Sequence, residues 1–552
     1  MQNATSRDNL TGAVEWYENL VGTPVGQSRL TTYGAPLKPL YTPLDVPGFD
    51  YLANLGLPGA FPFTRGSTPT GYRGKEWTRR QVIGVGTAEE TNERLRYLFA
   101  QGQTGFSVCG MGYAPYESSD PRAAGVLGRG GVWLDTLADM QTLLEGVDMA
   151  SVTINQIGAS LPVFAMILAE AERRGVPWAQ LHGTIQNVVA PGGEGPAHRG
   201  NHALDVIEFC TRELPHWNHT SISARNIRDQ GVSSVQEVAF AIFMGLYTAR
   251  AACSRGLPIE AIAPRITFFF SAENELLEEV AKFRAARRIW ARAMRDLGAT
   301  SSRSQVMRFH VQTSALSLTM QQPLNNIIRG TVHALAAVLG GAQSLSVNSF
   351  DEVLAIPTEA AATLSLRTQQ IIADETDVAA VNDPLGGAYA IEALTSQIEA
   401  LALEEIARLE ALPDRRAFEQ ISADANMAGY RRQLQVDRGE RRVVGVNEHV
   451  LPEEVEEQVG LSASDVFEYD PAWREKQVAR LETTKRERDP VAAEAAKVRL
   501  AGAYRARENL VEPVIAAVKA YLSIGEITSL LASLQGWDEL KNRHCFYTNE
   551  FY

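Results

Sequence analysis

The sequence predicts an α/β fold, a (β/α)8 (TIM) barrel with a polar lumen, preceded by an extended N-terminal arm and followed by a C-terminal helical region. The first observation is that eight short β-rich segments alternate with stretches whose apolar residues recur at three- and four-residue intervals, the rhythm of strands separated by helices. The second follows from connectivity: strands joined through helices run parallel and are covered by those helices rather than by water. The third is chemical. Arg308, His310 and Gln312 alternate with Phe309, Val311 and Thr313, and the same polar face returns in Ser151-Thr153-Asn155, His182-Thr184-Gln186, Ser221-Ser223 and Ser344-Ser346-Asn348. An ordinary barrel fills its interior with Val, Ile and Leu, whereas polar groups left there without a partner would cost roughly 1–3 kcal/mol each. A long, thin, polar ligand along the axis would satisfy them. The alternative is that these residues sit at strand ends and do not face inward.

In chain order, residues 1–63 are rich in proline and glycine (YGAPLKPLYTPLDVPGF, LGLPGAFPF) and read as an extended arm. Residues 64–440 form the barrel, with strands expected at 80–86, 104–110, 150–155, 180–186, 220–225, 265–271, 307–313 and 344–350. Amphipathic helices are expected between them at 88–100, 137–144, 161–174, 235–255 and 272–297. Residues 441–552 read as a linker around 443–461, then charged helices, then the aromatic tail WDELKNRHCFYTNEFY.

Composition narrows the function classes. A formal net charge of −13 argues against a nucleic-acid partner. Cys109, Cys210, Cys253 and Cys545 are scattered without CxxC spacing, which fits a reducing compartment and no structural zinc. The start MQNATSRDNL lacks a secretory pattern, and no apolar run is long enough for a bilayer, so a cytoplasmic protein without a membrane partner is expected. His216 and His219 (HWNH) have no carboxylate or cysteine beside them, so no metal site is expected. The loop PGGEGPAHRG lacks GK[ST] and does not read as a phosphate-cradling loop.

Several long segments then stand in a telling order: TRGSTPTGYRGKEWTRRQ (64–81), GTIQN (183–187), APRITFFF (263–270), RFHVQTSALSLT (308–319), GGAQSLSVNSFDEVLAIPT (340–358) and NDPLGGAYAIEALT (382–395). Together they resemble the substrate-binding chain of the methylmalonyl-CoA mutase family, which includes isobutyryl-CoA and 2-hydroxyisobutyryl-CoA mutases. The resemblance implies a barrel threaded by the pantetheine arm of coenzyme A, with adenosylcobalamin at the C-terminal mouth and a radical 1,2-rearrangement of the acyl group. By the same resemblance, Asn226, His310 and Gln312 stand at the catalytic positions. Thr70, Lys75, Val82, Ser151, Thr153, Gln186, Arg265, Thr267 and Phe269 stand along the acyl-CoA, and Asp229, Gln343, Ser344 and Glu352 at the cofactor. Taken singly, Arg265 reads as well as a structural arginine, Glu352 as the cap of a helix at 350–355, and His310 as a core histidine.

The departures from the family pattern bear on substrate and partners. SISARN puts Asn226 where the family has a histidine beside the thioester carbonyl; an amide donates a hydrogen bond but carries no proton. Val82 replaces a tyrosine, and a shorter glycine-rich loop after Gln186 removes an arginine that grips a free carboxylate, unless Arg199 swings in. A branched aliphatic or hydroxylated acyl group is therefore expected. Thr68 replaces a tyrosine, Lys75 an arginine, and the 105–121 segment is shorter than its counterpart, which admits an acyl-carrier protein as an alternative source of the arm. No DxHxxG motif occurs, so adenosylcobalamin is expected to be held mainly by a separate small subunit bearing that motif, in a heterotetramer or larger heteromer. The aromatic tail is a candidate contact for it. The rival reading, for which Asn226 is the best argument, is a catalytically altered homologue acting as a binding or assembly partner.

Overall fold

The computed structural model describes residues 2–21, 29–109, 116–128, 130–158, 160–191, 202–452 and 466–534. Arg199, the loop at 192–200 and the aromatic tail lie outside the described residues, as do residues 453–461 of the expected linker. The N-terminal expectation is corrected in part: Gln2–Val21 is an α-helix (α1), because the proline-rich stretch that forbids a helix begins only after it. From Leu30 onward the arm is mostly irregular, with a 3-10 turn at Pro43–Asp45 and a single π-turn at Tyr51–Leu55.

A strand forms in each of the eight expected segments, and the first and fifth are split, with a leading piece ahead of the expected bounds. Thr78–Arg79 (β1) precedes the 80–86 segment that holds Val82–Ile83 (β2); Gly105–Cys109 (β3), Thr153–Ile157 (β4) and His182–Ile185 (β5) follow. Trp217–Asn218 (β6) precedes the 220–225 segment that holds Thr220–Ser223 (β7), and Ile266–Ala272 (β8), Phe309–Thr313 (β9) and Ser344–Ser346 (β10) complete the set. They make two five-stranded sheets, ordered β1-β10-β9-β8-β7 and β2-β3-β4-β5-β6, with every pairing parallel. The sheets meet at the split strands. Arg80 donates its backbone N–H to Leu345 O (3.0 Å) in one sheet, while Gln81 O accepts from Ser107 N (3.1 Å) in the other. Only His219 separates β6 from β7.

Helices cover one face. Ala88–Ala100 (α2), Leu137–Leu143 (α3), Leu161–Arg173 (α4) and His202–Glu213 (α5) alternate with the second sheet. Ala224–Arg228 (α6), Ser234–Ser254 (α7), Ile259–Ile262 (α8), Leu276–Asp296 (α9), Ser302–Gln305 (α10), Asn325–Leu339 (α11), Glu359–Asp374 (α12), Tyr389–Glu410 (α13) and Asp414–Asp437 (α14) accompany the first and follow it. Two apolar cores result: Phe268, Phe270, Phe309 and Val311 pack with α7, α9 and α13, while Phe106, Ile154, Ile185 and Trp217 pack with α2, α3 and α4. The second core also takes in the C-terminal helices Pro490–Ala506 (α16), Val511–Lys519 (α17) and Ile524–Leu534 (α18), while Ala472–Glu487 (α15) sets Trp473 against a small cluster of Ala123, Leu127 and Trp133. Among the described residues no helix is long and apolar enough to cross a membrane.

Register puts the polar residues together. Partners across parallel strands share a face, so Val82, Ser107, Asn155, Thr184 and Asn218 form one row across the second sheet. In the first sheet Phe269, His310 and Ser344 form one row, and Ser271, Gln312 and Ser346 the next. This face is buried and opposite the helix-facing Phe309, Val311 and Leu345. Ser151 departs from the expectation: it is exposed in a turn, and its strand begins at Thr153.

Candidate active site

The polar face is stitched by hydrogen bonds between neighbouring strands. Asn155 Nδ2 donates to Ser107 Oγ (2.9 Å) and Asn218 Nδ2 to Thr184 Oγ1 (2.9 Å). At the first sheet, Arg80 Nη2 donates to Ser344 Oγ (2.9 Å), and the same oxygen lies 2.8 Å from His310 Nδ1. A guanidinium only donates, so Ser344 Oγ accepts from Arg80, and the direction of its contact with Nδ1 follows the imidazole tautomer. Nε2 is buried without a protein partner. Burial, then the charge of Arg80, holds the His310 imidazole well below its usual pKa, so it stays neutral. Phe269 packs against it, ring centroids 4.9 Å apart.

Toward the C-terminal ends of the strands the face becomes a cavity of about 360 Å³. Val82, Gln312, Asn348 and Glu352 line it, with Arg94 from α2 on another wall. Gln312 Nε2 donates to Asn348 Oδ1, and Asn348 Nδ2 is buried without a partner. Glu352 is half-buried on the cavity wall; burial is the main cause that lifts its carboxyl to about 7, opposed by Arg225 and helped by Asp351 and Asp229. It sits in a turn and not in the helix that a capping role would need.

Asn226 comes from α6, which starts directly after β7, and Asp229 is the residue that follows that helix. Asp229 Oδ1 accepts from Ser271 Oγ (3.1 Å) and Ser314 Oγ (3.0 Å), while Oδ2 pairs with Arg225 Nη2 (2.9 Å). Arg225 Nη1 donates to Asn226 Oδ1 (3.3 Å), and Asn226 Nδ2 is buried without a partner. Ser271 is clamped by its backbone: its N–H donates to Glu237 (2.8 Å) and its carbonyl accepts from Lys282 Nζ (2.8 Å). Lys282, Arg228, Glu237, Glu273 and Glu279 form a fully buried ion cluster behind it.

The remaining residues singled out in the sequence, Gln186 apart, lie near the opposite, N-terminal ends of the strands. Arg265 donates to Cys210 O (2.9 Å) and keeps a buried Nε without a partner; Thr267 Oγ1 donates to Thr220 O (2.9 Å). Thr153 is half-buried at the start of β4, and Thr70 and Lys75 are exposed. Gln186 follows β5, where its Oε1 accepts from Gly158 N (3.3 Å). Gln343 is not brought to Glu352: it precedes β10 and spends its amide on Phe309 N, Ser67 Oγ and Gly341 O. Ser344, one residue on, is likewise at that end, under His310. Among the described residues no group of three or more His, Cys, Asp or Glu side chains could hold a metal ion, and the His216 ring stacks on His182 at 4.8 Å.

Sequence reading missed Arg225, Arg80 and Arg94 as parts of the site. The signal for Arg225 was legible: a cation two residues after the serine that ends a polar strand lands at the strand's C-terminal mouth. Arg94 gave none, because one arginine in an amphipathic helix reads as a solvated face.

Comparison with known proteins agrees with this arrangement. The profile of the family described as methylmalonyl-CoA mutase matches residues 30–537. The 2-hydroxyisobutanoyl-CoA mutase large subunit of Aquincola tertiaricarbonis is 38% identical over 95% of this chain and 96% of its own. Methylmalonyl-CoA mutases of Escherichia coli and Cereibacter sphaeroides are 38% and 36% identical, over 91% and 92% of this chain and 71% and 72% of theirs. With parallel sheets, a buried polar face and matches that span nearly its full length, the chain belongs to the methylmalonyl-CoA mutase family of acyl-CoA carbon-skeleton mutases.

Proposed function

We propose that this chain is the substrate-binding subunit of an adenosylcobalamin-dependent mutase that rearranges a branched or hydroxylated acyl thioester. The observation that carries the reading is the buried polar face with nitrogens left unused: His310 Nε2, Asn226 Nδ2 and Asn348 Nδ2, the last on the wall of the cavity that Gln312 and Glu352 also line. Buried donors are almost always partnered, so a run of unused ones on one face is what a ligand-binding wall requires. The hydrogen bonds of Arg80 and Gln81 to both sheets, and the single-residue step at His219, support closure of the two sheets into one barrel whose lumen is this face.

From Arg265 to Ser271 the wall spans roughly 20 Å at about 3.3 Å per residue, so a ligand touching both ends is extended, as a pantetheine arm is. Arg265, Thr267 and Lys75 serve the outer end. His310 and Asn226 present N–H donors to the thioester carbonyl, and Val82 leaves room for a branched acyl group. The unused Asn348 amide and the Glu352 carboxyl fit a ribose, so Glu352, Asn348 and Asp229 would hold the adenosyl portion of the cofactor. When bound, that group supplies reversible hydrogen abstraction from the acyl carbon. The chain's own part is to hold the thioester and exclude water.

The match over nearly the full length of a relative named as a large subunit supports a heteromer with a cobalamin-binding small subunit. The test is to mix the chain with such a subunit and adenosylcobalamin and to record cob(II)alamin formation as acyl thioesters are added. A radical signal with a branched or hydroxylated acyl group is expected; silence across a broad acyl panel, with cofactor bound, would favour the rival reading of an assembly partner. Offering the same acyl group on CoA and on a carrier protein distinguishes the two sources of the arm.

A further inference from the structure

We propose that Arg225 is a positioning residue that locks the Asn226 carboxamide with its NH2 toward the reacting thioester carbonyl, making the site a proton-free hydrogen-bond donor. The inference rests on the mutase reading above and answers what an amide does where the family resemblance implies an imidazole.

The argument is one of donor and acceptor counting. An amide can flip, exchanging a donor end for an acceptor end, and only its neighbours decide which way it points. Arg225 Nη1 lies 3.3 Å from Asn226 Oδ1, and a guanidinium has five donors and no acceptor. The flipped amide would set donor against donor, so the oxygen faces Arg225. The Nδ2 end then points the other way, buried and without a protein partner, on a residue only 8% exposed.

Arg225 is itself held in place. Its Nη2 pairs with Asp229 Oδ2 (2.9 Å), on the next turn of the same segment, and Asp229 is fixed by the hydroxyls of Ser271 and Ser314. Gln230 Nε2 donates to the Asn226 backbone carbonyl (3.3 Å), which fixes the helical turn that carries the amide. The charge of Arg225 also acts on both His310 and Glu352. An asparagine placed this way donates at any pH at which the protein is folded.

The test reads hydrogen bonding directly, without turnover. S-isobutyryl-pantetheine labelled with ¹³C at the carbonyl is bound to the chain alone, and its thioester band is followed by isotope-edited infrared difference spectroscopy. Because the probe carries the arm without a nucleotide or a carrier, it does not depend on the source of the arm. The band is expected at lower wavenumber in the parent protein. It is expected to return toward its solution position in N226A and R225M, and the conservative R225K is expected to restore part of the shift. With the complete enzyme, R225M is expected to lower kcat by about tenfold or more, and by less than about twofold when N226A is already present, since a residue acting through another loses its effect with that partner. A shift that persists in R225M, a bound probe with no shift in the parent, or equal kcat losses on both backgrounds would overturn the proposal. Failure of the probe to bind would instead overturn the mutase reading beneath it.

Discussion

At the scale of single residues the site is built from groups whose protonation is set by burial. Glu352 shows the sign of the effect. Its folded pKa of about 7 lies above the unfolded value of about 4.3, so folding favours the protonated form. The stability from this group is fully present below the unfolded value and is lost as pH rises through the folded one. Glu352→Gln is therefore expected to be more stable than the parent at pH 8 by roughly 1–3 kcal/mol and nearly equal to it at pH 4.5. Urea unfolding at the two pH values checks this, and because Asp139 and Glu237 titrate in the same range, the difference between variant and parent is the quantity to compare. A gain of the same size at both pH values would contradict it. Much of this scale was legible in advance: the alternation around His310 and Gln312 and the segment ending at Glu352 were read from the chain. Arg225 was in plain view, but its role depends on a hydrogen bond to the next side chain, which periodicity does not encode.

At the scale of elements, close approaches explain residue choices that composition leaves open. Gly183 sits on β5 where an added Cβ would lie 2.2 Å from the buried Trp217 ring. Gly183→Ala is therefore expected to cost about 1–3 kcal/mol, measured by chemical denaturation. Behind the site, Lys282 neutralises Glu237 and Glu279 inside the ion cluster that holds Ser271. Lys282→Met leaves two buried carboxylates short of a cation and is expected to destabilise by about 3–5 kcal/mol. α15 grips the cavity from outside: the Trp473 ring packs where side chains on Gly86 and Gly128 would be, and Gln477 bridges Asp135 (2.9 Å) and Asp139 (3.0 Å). Trp473→Ala is expected to cost roughly 2 kcal/mol by thermal or urea unfolding, less than a fully buried tryptophan because the ring is half-exposed. Helix and strand positions were legible from periodicity because each period reports one buried face. The splits at Arg80-Gln81 and at His219 were not, since a strand shared between two sheets has the same alternation as an unbroken one. The helix Gln2–Val21 was hidden by attention to the prolines that follow it.

At the scale of the molecule, two apolar cores lie on the helix-covered sides of the two sheets, opposite their polar faces, and C-terminal helices add to one of them. This inverts the usual placement, with hydrocarbon between sheet and helix and hydrogen-bonding groups on the other side of the sheet. Part of the face is paired within itself, Asn155 with Ser107 and Asn218 with Thr184, while other nitrogens such as Asn226 Nδ2 and Asn348 Nδ2 are left for an occupant. The central claim is that this face is the wall of a channel for an acyl-pantetheine arm. A crystal structure of the chain with a bound acyl-CoA tests it most directly. The account predicts an extended ligand running from Arg265 to the cavity at Gln312, with its thioester oxygen within hydrogen-bond distance of Asn226 Nδ2 or His310 Nε2. Ligand bound on the outer helical surface, with those two donors still facing no ligand atom, would contradict it.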